Sequence, residues 1–332
     1  MAMESVEDNN TDSLKRRLSS LGIQEIQEDI FDVELNKCLG KGKNAVVYKI
    51  ILGKLKCAAK AMTLYFDTPI FAKFTETEII SQTNVNDIVI SYYIGKLKVN
   101  NISFPYLCGY GAQNQSLLLL KEYANYCLRE LLTKVKNQEI ITSILIRFII
   151  IIYLGFQKYY KGYHFDLKVD NILVNKTNEE FLPYPFKENT YNLKTMGYYP
   201  LLSDFGSSVI IEMENKPILI KRHTEWKKKG RATPNNFLNI SNKIEDMNLK
   251  EIQAQKFFDK SYDLFKLFNS LRRETMLQGN WLIAEYFSLL RTEFGFTNAK
   301  DYKPNSLTIK KFLTSPRIKG WLELNDKKEK LP

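Results

Sequence analysis

Cysteine is sparse, and its spacing excludes two architectures. Four residues, Cys38, Cys57, Cys108 and Cys127, are widely separated with no C-x-x-C pair. That argues against a disulfide framework or a zinc site and favours a reducing, cytoplasmic setting. Long hydrophobic runs are also lacking. The most apolar window, Ile144 to Phe156, is 13 residues long and contains Arg147, so a buried core helix is expected rather than a membrane span. Met1 to Asn10 is acidic and polar, unlike a secretory leader. No internal repeat or low-complexity block is present. The net charge is +11, but the basic residues are scattered and form no stripe or motif, so nucleic-acid binding is not expected as the primary role.

The 332 residues, 44% aliphatic or aromatic and 26% charged, suffice for a sizeable core in one large domain or two smaller ones. Residues 1–30 are polar and read as a mobile tail or a marginal helix. Val33 to Met62 alternates β-branched residues with glycines, as antiparallel strands do. "TPIFAKFTETEIISQT" has helical spacing, and "SFPYLCGYGAQNQSLLLLKEYA" returns to strand character. From Leu128 the chain becomes long, periodic and helical as far as Gly162. The expected fold class is therefore α+β, a small antiparallel β-rich part before a larger, mostly helical one.

Chemistry-bearing residues concentrate in a few places. "LGKGKNAVV" (Leu39, Gly40, Lys41, Gly42, Lys43, Asn44, Ala45, Val46, Val47) sits between two strand candidates. Its glycines let backbone amides approach an anion, though hairpin turns use glycine in the same way. Lys60 stands in the apolar strand "CAAKAM", where its charge requires an anionic partner. Glu76 in "FTETEII" is the expected partner, with Glu78 as competitor. The densest group is "HFDLKVDN": Asp166 can accept a proton from a hydroxyl, Lys168 can neutralise a phosphoryl group, and Asn171 can offer a carbonyl oxygen to a hard cation. Asp204, in "LLSDFGSS" after an apolar strand, completes a magnesium pair with Asn171. Phosphoryl transfer asks mainly for positioning and charge neutralisation, and this is such an inventory.

In this order and at these spacings, the motifs resemble the eukaryotic protein kinase family, from about Val33 to Trp321. "GKGKNAVV" is similar to its glycine-rich loop, "AAK" to its lysine strand, "HFDLKVDN" to its catalytic loop and "DFG" to its metal turn. The resemblance implies a two-lobed domain over residues 31–325: an N-lobe about 31–122, a hinge about 122–126 and a C-lobe about 127–325. It implies ATP as substrate and Mg²⁺ as cofactor. Residues 39–47 and Lys60 would cradle the phosphates, with Glu76 pairing to Lys60. Glu122 to Ala124 would meet the adenine through the backbone. Asp166 would be the catalytic base, beside His164 and Lys168 in the catalytic loop, and Asn171 and Asp204 would hold Mg²⁺. "SYDLFKL" is similar to the helix whose aspartate, here Asp263, braces that loop. Lys168 resembles the serine/threonine class, so a protein hydroxyl is the implied acceptor.

The departures are specific. Ala45 replaces the third glycine of the loop. Phe165 stands where the family places an arginine that meets a phosphate on the activation segment, so activity independent of that phosphate is expected. Lys121 falls where the back of the adenine pocket is lined. Thirty-three positions separate Asn171 from Asp204, and residues 176–200 read as an inserted surface loop. "RATPNNF" is the nearest counterpart of A-P-E and lacks the glutamate. The divergent C-terminal part and the abundance of Lys, Asn, Ile and Tyr resemble kinases of large DNA viruses, which would place the protein in host cytoplasm or a virion. Two alternatives share parts of the pattern: a small-molecule kinase of the aminoglycoside or choline type, and a pseudokinase acting as an interaction module. The former lacks the lysine two positions after the base, and the latter has usually lost a catalytic group.

Overall fold

The first sheet is built from short-range hairpins, closed by β-branched and small residues that alternate between its faces. The computed structural model describes residues 15, 16, 18, 19, 23, 25, 26, 37–41, 45–52, 55–63, 83–96, 107–113, 116–159, 162–208, 210–213, 216–220, 261–296 and 306–327. Strands β1 (Lys37–Lys41), β2 (Ala45–Leu52), β3 (Leu55–Thr63), β4 (Leu107–Gln113) and β5 (Ser116–Glu122) form one antiparallel sheet in the order β1-β2-β3-β5-β4. Strand pairing puts Ala59 opposite Leu120 and Lys60 opposite Leu119. Alternation therefore separates two faces. Ile50, Cys57, Ala59, Leu118 and Leu120 make a small core of their own on one of them. Lys60, Met62, Leu117, Leu119 and Lys121 take the other parity.

Helix α1 (Thr83–Lys96) follows. Its Asp87, Ile88, Val89, Ile90, Ser91, Tyr93 and Ile94 are all buried. The helix expected around "FTETEII", with Glu76 and Glu78, lies outside the described residues. The described helix starts at Thr83.

The second half is mostly helical among the described residues, and the architecture is α+β. Short β6 (Tyr126–Cys127) leads into α2 (Leu128–Lys134) and α3 (Gln138–Ile152), which continues as a π-helical turn to Tyr159. The Asn137 side chain caps α3 by accepting from the Glu139 and Ile140 amides. The expected 13-residue apolar segment is thus part of a 22-residue helix, Gln138–Tyr159, long and apolar enough to cross a membrane by length and composition. Here 83% of its most apolar stretch is buried inside the fold. Arg147 is fully buried in it, and its guanidinium donates to the Ser143, Tyr198 and Thr195 carbonyls at 3.0, 2.6 and 3.0 Å.

Strands β7 (Ile172–Lys176) and β10 (Tyr198–Leu202) pair antiparallel, and β6 adds to the far side of β7. The stretch expected as a surface loop is instead a β-hairpin, β8 (Phe181–Phe186) and β9 (Asn189–Lys194), turning at Lys187, whose φ is 55°. Tyr184, Phe186, Tyr191 and Leu193 share one face of it and are buried. Its edge meets the C-terminal residues, where the Asn192 amide donates to Asp326 Oδ1 at 2.6 Å. A further hairpin, β11 (Ile210–Met213) with β12 (Lys216–Ile220), precedes helices α4 (Tyr262–Leu271), α5 (Trp281–Phe294), α6 (Ile309–Leu313) and α7 (Pro316–Asn325).

At the N-terminus, where a mobile tail or a marginal helix is expected, Lys15, Arg16, Leu18 and Ser19 are helical. Within this segment Leu18 and Ile23 are fully or almost fully buried. Glu25 bridges to Tyr110 of edge strand β4, and the Ile26 amide donates to the Tyr110 carbonyl at 2.9 Å. Two apolar side chains among polar neighbours are enough to dock this segment, and the pairing covers part of an open sheet edge.

Candidate active site

Two groups of charged residues meet where the first sheet faces the β7–β10 pair. The first is organised by strand register. Gly40 of β1 pairs with Val47 of β2, and Val47 pairs with Lys60 of β3, so these three lie in one row on one face. A side-chain carbon added at Gly40 would meet nothing within 4 Å, so packing inside the chain does not demand glycine there. Leu39, 41% exposed, and Lys41 flank it on β1, with Ala45 and Val46 on β2. Gly42, Lys43 and Asn44, between β1 and β2 in the sequence, lie outside the described residues.

Lys60 Nζ donates to Asp204 Oδ1 at 2.8 Å and to Asp87 Oδ2 at 2.7 Å. Asp87 is thus a carboxylate partner of Lys60 on α1, while Glu76, the expected partner, lies outside the described residues. Its carboxylate also accepts from Lys121 Nζ at 2.8 Å, the Phe205 amide at 3.0 Å and Ser91 Oγ at 3.3 Å. Burial alone would push the Asp87 carboxyl up, but Lys121 and Lys60 outweigh it and hold the group well below the carboxylate range. Burial likewise disfavours the charge on Lys60, yet Asp87 and Asp204 raise its pKa. For Lys121 burial wins and the pKa is lowered despite Asp87. Asp204 is lowered as well, with Lys60 overcoming burial.

Asp204 adopts left-handed backbone angles, φ 63° and ψ 72°. This conformation costs roughly 1–3 kcal/mol in a non-glycine residue. It aims the carboxylate at Lys60, while the next amide, Phe205 N–H, reaches Asp87. The Phe205 ring is fully buried beside Phe156 and His164.

The second group is the loop around Asp166. Asp263, buried in the first turn of α4, accepts the His164 and Phe165 amides at 2.9 and 2.8 Å. His164 is fully buried; its Nε2 lies 2.9 Å from the Ser203 carbonyl and its Nδ1 accepts the Asp166 amide at 3.3 Å. The buried imidazole is thus a strut between this loop and the approach to Asp204, with both nitrogens engaged in holding backbone. Phe165 has φ 64°, strained for a bulky side chain, and stacks on Tyr163 at 5.4 Å. Lys168 Nζ donates to Asp166 Oδ2 at 2.6 Å. Asn171, which is buried, donates its Nδ2 to the Asp166 carbonyl at 2.8 Å. Asp170 is held by a two-pronged contact from Arg129 of α2.

Register joins the groups. Leu202 pairs with Ile172, so Asn171 and Asp204 project from the same end of β7 and β10. Ser203 reinforces this, donating to the Asn171 carbonyl through both its amide and its hydroxyl at 3.2 Å. Glu122 ends β5, and Ala124 follows in the half-buried connection to β6. That connection is fixed by Asn175 Oδ1, which accepts the Asn125 amide at 2.8 Å, and by Asn125 Oδ1, which accepts the Lys176 amide at 2.8 Å.

Of the expected residues, Lys60 and Asp204 are in contact, as are Asp166, Lys168 and Asn171. Asp87 and the role of Lys121 were not anticipated. Their signal was available: each is a charge abutting an apolar run, "DIVI" and "LLLLK". Among the described residues no group of three or more His, Cys, Asp or Glu could hold a metal. One carboxylate and one amide oxygen nonetheless suit Mg²⁺, which retains waters and takes phosphate oxygens as further ligands. Compared with known proteins, the chain matches no family model and no curated protein.

Proposed function

We propose that this chain is an ATP-dependent serine/threonine protein kinase with the two-lobed arrangement of that family. The observation that carries the reading is the common end of β7 and β10. It sets Asn171 and Asp204 side by side, with Lys60 on one flank and the Asp166–Lys168 pair on the other. These are the charges that a triphosphate and an attacking hydroxyl require.

The residues divide the work. The row Gly40, Val47 and Lys60 offers a sheet face with open space above the glycine, suited to the phosphates. Lys60 exchanges its contact with Asp204 for phosphate oxygens, which frees that carboxylate for Mg²⁺. When bound, Mg²⁺ neutralises charge on the phosphates. Asp166 orients the acceptor hydroxyl and takes its proton. The hydroxyl oxygen bonds to the γ-phosphorus as the bond to the β–γ bridging oxygen breaks, and ADP departs. Lys168, already 2.6 Å from Asp166, lies where it can neutralise the transferring group. The serine/threonine assignment rests on the resemblance of Lys168 to that class.

The deciding experiment incubates labelled ATP and Mg²⁺ with a mixed panel of proteins and small alcohols. The wild-type chain should label protein serine or threonine, and Asp166→Asn should lower the rate by about 10²–10⁴-fold. Equal labelling by both proteins would end this reading.

A further inference from the structure

Lys121 and Lys60 come from neighbouring strands and converge on one carboxylate. Ala58 is the residue paired with Lys121, and Leu119 is the one paired with Lys60. The two lysines are therefore diagonal neighbours on the same sheet face, close enough for long side chains to share a partner. That partner, Asp87, is 1% exposed; Lys121 is 10% and Lys60 21% exposed. The same carboxylate holds the Phe205 amide, next to Asp204. Asp87 thereby ties together α1, β3, β5 and the metal turn.

The need for a second lysine follows from charge. In the arrangement seen here, Lys60 is divided between Asp87 and Asp204. Once Lys60 serves phosphates, its hold on Asp87 weakens, and a buried carboxylate left without a full cationic partner is costly. Lys121 has no such second duty: its ammonium sits 2.8 Å from Asp87 and 5.2 Å from the centre of the Phe205 ring. We propose that Lys121 is a positioning residue, holding the Asp87 carboxylate in place while the charge of Lys60 is committed to the nucleotide. It acts through Asp87 on Lys60 and, through the Phe205 amide, on Asp204. This inference rests on the kinase reading, and it adds a residue that reading does not require.

The charged groups that share this network are Lys60 from β3, Lys121 from β5 and Asp204 from the metal turn, with uncharged Ser91 beside Asp87 on α1. Removing Lys121 leaves burial of Asp87 opposed by one ammonium, Lys60, with the Phe205 amide and the Ser91 hydroxyl, so its carboxyl should protonate at higher pH.

The test compares full-length wild type, Lys121→Met, Asp87→Asn and the double variant with ATP, Mg²⁺ and a protein acceptor. Lys121→Met should lower kcat about 10–100-fold with KM for ATP within about threefold, because misplaced groups chiefly lose transition-state contacts. The acid limb of its pH profile should move up by at least about one unit. Adding Lys121→Met to Asp87→Asn should cost no more than about a further twofold, since both act through one interaction. Multiplying effects, an unmoved acid limb, or a Lys121→Met kcat within about twofold of wild type would overturn the assignment. A wild type that labels no acceptor sinks the kinase reading instead. Melting temperatures of the four proteins then judge the Lys121–Asp87 coupling: losses smaller than the sum uphold it, and additive losses overturn it.

Discussion

Lys60 Nζ and Asp204 Oδ1 lie 2.8 Å apart, so the cation suited to phosphates and the carboxylate suited to a metal neutralise each other. Asp204 keeps 39% of its side-chain surface exposed, which leaves it reachable. On the kinase reading proposed above, exchange of this contact for phosphate and Mg²⁺ would make nucleotide affinity depend on the metal through Asp204. Isothermal titration with ADP should show tighter binding with Mg²⁺ than without it for the wild type. Asp204→Asn should lose most of that difference. A variant that retained the full metal effect would remove Asp204 from the site.

Asp87 governs the response to acid. Its carboxyl is held below the ordinary range by Lys121 and Lys60 in spite of burial, and Asp204 is lowered in the same direction by Lys60. An unfolded aspartate titrates near pH 4, so on acidification the unfolded chain takes up these protons first. Stability from both groups is therefore present above about pH 4 and is lost as pH falls through the folded-state values. Thermal melts should show a steep fall in Tm below about pH 4, and Asp87→Asn should flatten it. At neutral pH the same variant leaves the buried Lys121 ammonium without its carboxylate, while Lys60 keeps Asp204, and should cost about 3–5 kcal/mol. An unchanged acid slope in Asp87→Asn would show that other carboxylates set it.

On the proposed kinase reading, Phe165 bears on regulation. A phosphate on the activation segment needs a cation to receive it. Phe165 offers only a ring, stacked on Tyr163 and packed edge-on against Tyr262 at 5.9 Å, while Asp263 fixes its backbone. The loop is thus held by aromatic packing and a buried carboxylate. Phosphatase-treated enzyme should retain activity within about twofold of untreated enzyme, since no charge-assisted contact here would be lost. A collapse of activity on treatment would require a phosphate receptor elsewhere.

Legibility in the sequence followed locality. The first sheet could be read because glycine punctuation and β-branched alternation are local signals, and so could α3, whose apolar residues persist over many turns. Helix α1 could not: "DIVISYYI" is apolar almost continuously and rich in β-branched residues, so helical periodicity is absent and a strand reads equally well. The β8–β9 hairpin was hidden by Pro183 and Pro185, which demote a strand in local reading but are tolerated at an unpaired edge. Leu18 and Ile23 looked like tail residues because their partners lie far away in the chain. In the candidate site, the "HFDLKVDN" loop was compact in sequence and easily found. The partner of Lys60 required knowing which face of β3 meets α1, a tertiary fact that no spacing encodes.

Arg147 supplies a test of the inserted hairpin as a structural element. Its guanidinium is fully buried and burial lowers its pKa, yet it donates to three backbone carbonyls, two of which, Thr195 and Tyr198, close the connection from β9 to β10. Arg147→Met removes the expense of burying a charge but takes a charged donor from each of those carbonyls, of which Thr195 keeps the Tyr198 amide at 3.1 Å, and a hydrogen bond to a charged group is worth about 1.5–3 kcal/mol. The second effect should dominate, with a net loss of about 2 kcal/mol and a fall in Tm of about 4–8 °C. Arg147→Lys should recover little, because a single ammonium cannot span carbonyls that a planar fork reaches together. Hydrogen exchange should then show faster opening of β8, β9 and β10 while β1 to β3 stay protected. If Arg147→Met left both Tm and the exchange of the hairpin unchanged, the insertion would have to be held by its apolar face alone, through Tyr184, Phe186 and Leu193.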